Sequence, residues 1–175
     1  FDNSSRTSAG FMGEENLTYG ADYPAVSEML GEIEKEIGKC REDFEEAKLD
    51  DIAMTPQQFA GNREPKYAVI DTVQELHALI SREGKQEELD VLHEAAKWGI
   101  YVIAASDPKI PIRSGKLMDL LSTSKSGIIL GNIKEQKVFD YSGIREENRQ
   151  VEFGYRHFNG LNCKIMVARY VQEEK

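Results

Sequence analysis

Long hydrophobic runs are missing from this chain. No stretch of 18 apolar residues occurs in its 175, so the chain does not itself span a membrane. No signal peptide is visible either. Cysteine is scarce: Cys40 and Cys163 lie far apart and flank no metal-ligand spacing. They read as small buried or half-buried thiols of a reducing compartment. His77, His93 and His157 form no His-x-x-x-His pair, which leaves no metal site built from side chains alone. Positive charge is outnumbered, with 22 Lys and Arg against 31 Asp and Glu, for a net charge of −9. That balance argues against a broad phosphate-binding surface and still permits a local basic groove. The chain opens on Phe1 instead of Met, and reads as a piece cut from something larger.

What is there fits one domain, long enough to bury roughly two-thirds of the surface its unfolded chain exposes. The organising stretch is Lys66-Tyr-Ala-Val-Ile-Asp71, in which four apolar residues run into a single carboxylate. Such a run, preceded by Pro65, predicts a buried strand. An acid at the carboxyl end of a strand stands at the rim of an α/β sheet, where ligands bind in that architecture. Nucleotide hydrolases place there the aspartate that holds magnesium through water.

The rest of the chain alternates. Residues 1–22 begin with Phe1-Asp2, the tail of a strand, and continue in a polar loop. Ser4, Ser5 and Ser8 with Arg6 have the chemistry to coordinate a phosphate, but a plain loop is the more ordinary reading. Asp22 and Pro24 open an amphipathic helix of about 22 residues, its apolar positions running from Val26 to Ala47 and its acidic face solvated. Thr55-Pro56 starts a short helical turn. Helices are expected over 73–83, ended by Gly84, and over 86–98, ended by Gly99. A second buried strand, 100–105, ends in Ser106-Asp107-Pro108 at the rim. Helix-like Lys116–Leu121 precedes a third apolar stretch, Ile128–Leu130. Strands alternating with helices predict a mostly parallel sheet covered by helices. The tail differs: Gln150–Tyr155 and Asn162–Tyr170 are β-rich around Asn159-Gly160, a hairpin signal.

The order of these features resembles the FtsK/SpoIIIE-type motor ATPases, and among them the C-terminal ATPase-like modules of the membrane-bound type VII secretion ATPase (the EssC group). Phe1-Asp2 is similar to the strand end after the phosphate-loop helix. Glu36-Ile-Gly-Lys-Cys-Arg41 resembles the family's Glu-x-x-x-x-Arg stretch, and Tyr67-Ala-Val-Ile-Asp71 its Walker B strand. Ala95 to Ser106 resembles the helix, Gly and sensor strand. The ending, with Gly127-Ile-Ile-Leu-Gly131, Gln136-Lys-Val-Phe139 and Phe153-Gly-Tyr155, resembles the secretion branch more than the DNA translocases.

The resemblance implies a P-loop NTPase-like (RecA/FtsK-type) α/β module over residues 1–175 with a C-terminal β-hairpin. It implies ATP and Mg²⁺ as cofactors, with Asp71 holding Mg²⁺ through water and Asp71, Thr72 and Ser106 lining the nucleotide site. It implies secreted helical-hairpin proteins as substrates and neighbouring ATPase modules of the same chain as partners, in a hexamer at the cytoplasmic face of the membrane. No nucleic acid is expected.

Three departures set the functional expectation. No Gly-x-x-x-x-Gly-Lys-Ser/Thr occurs in the 175 residues, so the main grip on ATP phosphates is missing from them. Thr72 stands where motor relatives carry the acid that activates water. Ser106 stands where a longer polar sensor such as glutamine is common. The expected module is therefore weak or inactive in hydrolysis and serves substrate recognition or regulation. The alternative is an active motor domain seen without its phosphate loop, with Glu75 as the nearest substitute acid. An exposed glutamate favoured by the helix dipole is the plainer account of Glu75. Trp98 and Tyr101 read as packing residues, with a groove for a peptide helix as the other possibility. Arg113 reads as a loop residue rather than an arginine finger.

Overall fold

β1 (Lys66–Ile70) and β2 (Ile100–Ala104) lie parallel and in register, Lys66 opposite Ile100 and Ile70 opposite Ala104. This is seen in a computed structural model, which describes residues 1–2, 6, 8–107, 115–124, 126–130, 133, 136, 138–139, 141 and 153–166. The chain divides into two compact units, residues 1–118 and 119–175. Arg113, Ser4 and Ser5 fall outside the described residues, as do parts of the expected strands 150–155 and 162–170.

In the first unit α1 (Tyr23–Asp50) is the longest element, at 28 residues. The Asp22 carboxylate accepts from the Ala25 N–H at 3.1 Å, with Pro24 in the first turn, so the start follows from the sequence. Val26, Leu30, Ile37, Cys40 and Phe44 are its buried stripe. The helix runs past the stripe because Ala47, Lys48 and Leu49 are good helix formers that need no core. α2 (Pro56–Gly61) begins in a reciprocal capping box between Thr55 and Gln58. α3 (Val73–Glu83) has the expected bounds, with Val73, Leu76 and Ile80 buried.

The expected helix 86–98 is broken. Only α4 (Asp90–Ala95) is α-helical, between 3-10 turns at Gln86–Leu89 and Ala96–Trp98. Its buried residues, Leu89, Leu92 and Ala95, recur every three residues, a period that suits the tighter helix better than 3.6. Gly99 then takes a left-handed backbone (φ 80°) that turns the chain into β2. Ile37, Ala95 and Ile100 pack as one cluster, with Ile33, Val91 and Trp98 against them. Trp98 also meets the Phe44 ring edge-on at 5.7 Å between centroids, so its packing role holds.

Helical cover reaches one face of the strands. Ile70 and Ile100 are buried, while Tyr67, Val69, Tyr101 and Ile103 on the opposite face are 60%, 50%, 45% and 53% exposed. The expected buried strands are thus corrected to half-buried ones: among the described residues, no element covers the face of Tyr67, Val69, Tyr101 and Ile103. Tyr101 is a surface residue whose ring lies 6.1 Å from that of Tyr67.

In the second unit β3 (Ser126–Leu130), β4 (Phe153–Phe158) and β5 (Leu161–Met166) form an antiparallel sheet in the order β3-β4-β5. Ile128–Leu130 is therefore antiparallel, not a further member of the parallel sheet. The β4–β5 hairpin turns on Asn159 (φ 48°) and Gly160 (φ 80°), the two positive φ values that an Asn-Gly turn supplies. Ile129, Ile133, Tyr141 and Tyr155 form its core, with Phe139 against them. A Cβ on Gly127 would come within 2.3 Å of the Phe139 ring, so that close approach requires glycine. α5 (Lys116–Thr123) completes the described elements.

Both cysteines are free, Cys40 buried and Cys163 exposed. Burial pushes the Cys40 thiol up from its ordinary range, with Arg63 opposing. A thiol titration of the native chain at pH 8 is expected to show one fast-reacting group, Cys163, and a second only after unfolding. Two fast thiols would mean that α1 does not hold Cys40 in the core.

Candidate functional site

The carboxyl ends of β1 and β2 and the start of the chain meet at one edge. The Phe1 N–H donates to Val69 O at 2.7 Å and the Asp71 N–H to Phe1 O at 3.1 Å, so Phe1 runs beside β1 on the side away from β2. On the other side Ala105 N–H donates to Ile70 O at 2.8 Å, and Val73 N–H to Ala105 O at 2.9 Å. These bonds carry the strand ladder one step past β1 and β2. They fix Asp2, Asp71-Thr72 and Ala105-Ser106 along a common rim.

Asp71 is half-buried and turns directly into α3. Thr72 is the N-cap residue, but its hydroxyl makes no capping hydrogen bond. Glu75 lies in the first turn, where the helix dipole favours a negative charge. Ser106 is exposed, and its Oγ lies 2.8 Å from Gln74 Nε2. The same Gln74 nitrogen donates to Asp107 O at 2.8 Å, while Gln74 Oε1 accepts from the Asp107 N–H at 3.3 Å. The start of α3, carrying Asp71 and Thr72 before it, and Ser106 are therefore brought together, with Gln74 as the link. Gln74 has no place in the sequence reading. The available signal is its position three residues after Asp71, on the helix turn nearest the end of the neighbouring strand.

Asp2 is the second residue that sequence reasoning passed over. It is 2% exposed, and its Oδ2 accepts from the Ser8 N–H at 2.9 Å and the Tyr19 hydroxyl at 2.7 Å. The Tyr19 phenol is pushed up, first by that hydrogen bond. The Ser8 N–H thus serves a carboxylate of the protein, which opposes its use as a phosphate ligand.

Glu36-Ile-Gly-Lys-Cys-Arg41 lies elsewhere. Glu36 reaches Lys66 Nζ at 2.8 Å and Arg63 at 3.6 Å, and Arg63 reaches Asp43 at 2.7 Å. Lys66 opens β1, so this network ties α1 to the amino end of the strand, opposite the rim. Glu36, Arg63 and Lys66, together with Lys39, Cys40 and Trp98, line a cavity of about 260 Å³. Arg41 pairs with Glu94 at 2.5 Å on the surface, bracing α1 against α4. The motif's charges are structural ties in this chain.

For a nucleotide and its metal, the rim fits in part. Asp71 has the chemistry to hold a cation through water, and Ser106 the chemistry to donate to a phosphate oxygen. The lysine and glycine-loop amides that would hold the remaining phosphates are not in the 175 residues.

Lys66 holds the Glu36 carboxyl below the usual range, burial opposes, and Arg63 and Lys39 add to the lowering. A depressed folded value stabilises above the unfolded carboxylate pKa, about 4.3, and the gain is lost as pH falls through the lowered value. Glu36→Gln is expected to cost about 1 kcal/mol at pH 7, the gap from the native chain closing below about pH 4. Urea melts at several pH values measure this. A gap unchanged with pH would assign Glu36 to packing rather than charge.

No protein-family model matches the chain, and no curated protein matches it. Solved structures do match. The chain is similar to the cytoplasmic domain of EssC, with a TM-score of 0.78 and 18% identity over 94% of this chain and 32% of that one. It is similar to EssC ATPases 2 and 3 from Geobacillus thermodenitrificans, with a TM-score of 0.77 and 18% identity over 95% of this chain and 30% of that one. It thus spans about a third of each of those longer chains. At this identity the likeness is one of fold: the 175 residues share the fold of part of the EssC ATPase region.

Proposed function

We propose that residues 1–175 form one module of a type VII protein secretion ATPase, on a P-loop NTPase-type α/β core, that hydrolyses ATP weakly or not at all. Its surface would serve substrate recognition or the regulation of active neighbours. The observation that carries the reading is Thr72. It follows the strand-end acid at the rim, where a motor needs a group that accepts a proton from water. A threonine hydroxyl does not do this near neutral pH, so Asp71 keeps the metal-holding position without a base beside it.

The fold likeness to EssC supports the secretion branch. The net charge of −9 favours protein cargo over nucleic acid. The partners that follow are small secreted helical-hairpin proteins and the neighbouring ATPase modules of a hexameric parent at the cytoplasmic face of the membrane. Asp71, Thr72 and Ser106 would meet ATP and Mg²⁺ in a weak site. The second reading, an active motor domain, draws on Glu75, which lies one helical turn past Asp71 and would have to act as the base.

Immobilised chain, challenged with purified helical-hairpin secretion proteins, is expected to retain them with micromolar affinity whether nucleotide is absent, ADP or Mg-ATP. Absence of retention under all three conditions would sink the recognition role. Retention that requires ATP hydrolysis, and is abolished by Glu75→Gln, would favour the active motor.

A further inference from the structure

The carboxamide of Gln74 is held in one orientation. Asp107 O can only accept and Asp107 N–H can only donate, so Nε2 must face the carbonyl at 2.8 Å and Oε1 the amide at 3.3 Å. The side chain pairs with Asp107 much as an adjacent strand would, on both backbone groups. This settles the third bond. Nε2 is a donor, so Ser106 Oγ, 2.8 Å away, must be the acceptor.

A hydroxyl has one hydrogen to give. With its oxygen receiving from Gln74, the Ser106 hydrogen is left to be donated outward, from an exposed position on the rim that holds Asp71. We propose that Gln74 is a positioning residue which, by donating to Ser106 Oγ, turns the Ser106 hydrogen toward the rim, where an anionic, phosphate-type oxygen can accept it. The inference rests on the nucleotide-site reading above and adds to it a residue and a polarity. It also ties two elements together: α3 begins directly after Asp71-Thr72, and its Gln74 holds the loop that leaves β2. A ligand gripping Ser106 would pull on the Asp71 end of β1 through this side chain as well as through the backbone bonds of Ala105.

Gln74→Glu is the informative change. A carboxylate accepts from Ser106 instead of donating to it, so the hydroxyl hydrogen turns inward. The test is titration of the 175-residue chain with Mg-ATP, Mg-ADP and inorganic pyrophosphate, following the Gln74 side-chain amide and the Ser106 and Asp107 backbone amides by NMR. The native chain is expected to bind Mg-ATP in preference to Mg-ADP, with those three signals moving. Gln74→Glu and Ser106→Ala should each remove about tenfold of that preference, the scale of one hydrogen bond to a charged group. The double variant should lose no more than either single one, because both act through the same hydroxyl. Unchanged melting temperatures would separate this from general unfolding.

A native-like preference in Gln74→Glu, or additive losses in the double variant, would overturn the role of Gln74 while leaving nucleotide binding in place. No movement in the native chain with any of the three ligands, despite a protected Asp107 amide, would overturn the nucleotide reading itself and this proposal with it.

Discussion

Two parallel neighbouring strands must end at the same edge, and that constraint organises the first unit. Parallel pairing forbids a tight hairpin, so the chain leaving β1 has to cross back over one face of the sheet before β2 begins. α3, α4 and the 3-10 turns beside it are that crossing. Their apolar residues bury the face carrying Ile70 and Ile100. The same crossing delivers Asp71-Thr72 and Ala105-Ser106 side by side, joined by backbone bonds and by the Gln74 side chain, which reaches Ser106 across 32 residues of sequence. The rim is a consequence of connectivity before it is a matter of chemistry.

Much of this was legible in the sequence. Asp22 with Pro24, Thr55 with Pro56, Gly84, and Asn159-Gly160 are local signals whose physics acts within a few residues, and each produces the expected structure. What failed depended on neighbours. The apolar run Tyr67–Ile70 looks buried on both faces, but burial of Tyr67 and Val69 depends on a covering element that their own sequence does not encode. The three-residue period of Leu89, Leu92 and Ala95 is too close to the helical 3.6 to separate the two in so short a stretch. Ile128–Leu130 has the composition of any buried strand, and its antiparallel pairing depends on β4, some 25 residues later. At the rim, Asp71, Thr72 and Ser106 stood out because they end apolar strands. Gln74 did not, because a hydrogen bond across 32 residues leaves no periodic trace, and the partners of Asp2, Ser8 and Tyr19, carry no pattern that marks them either.

Under the proposed function, the chain keeps the geometry of the rim without an acid next to Asp71 to activate water. Asp71 ends β1 at the rim, the Ser106 hydroxyl is held by Gln74, and the fold is shared with part of the EssC ATPases 2 and 3 structure. Thr72, not an acid, follows Asp71 in the chain. Glu36 ties α1 to the amino end of β1 through Lys66, and Arg41 ties α1 to α4 through Glu94. Such a module can be kept for its surface, since the ladder and core that build the rim also hold the outer faces in place.

Release of phosphate from Mg-ATP by the purified chain, with and without helical-hairpin secretion proteins, tests the central claim most directly. The account predicts no release above the buffer rate in either case. Turnover on the scale of about one per second, abolished by Asp71→Ala, would contradict it and show that water is activated without an acid at position 72.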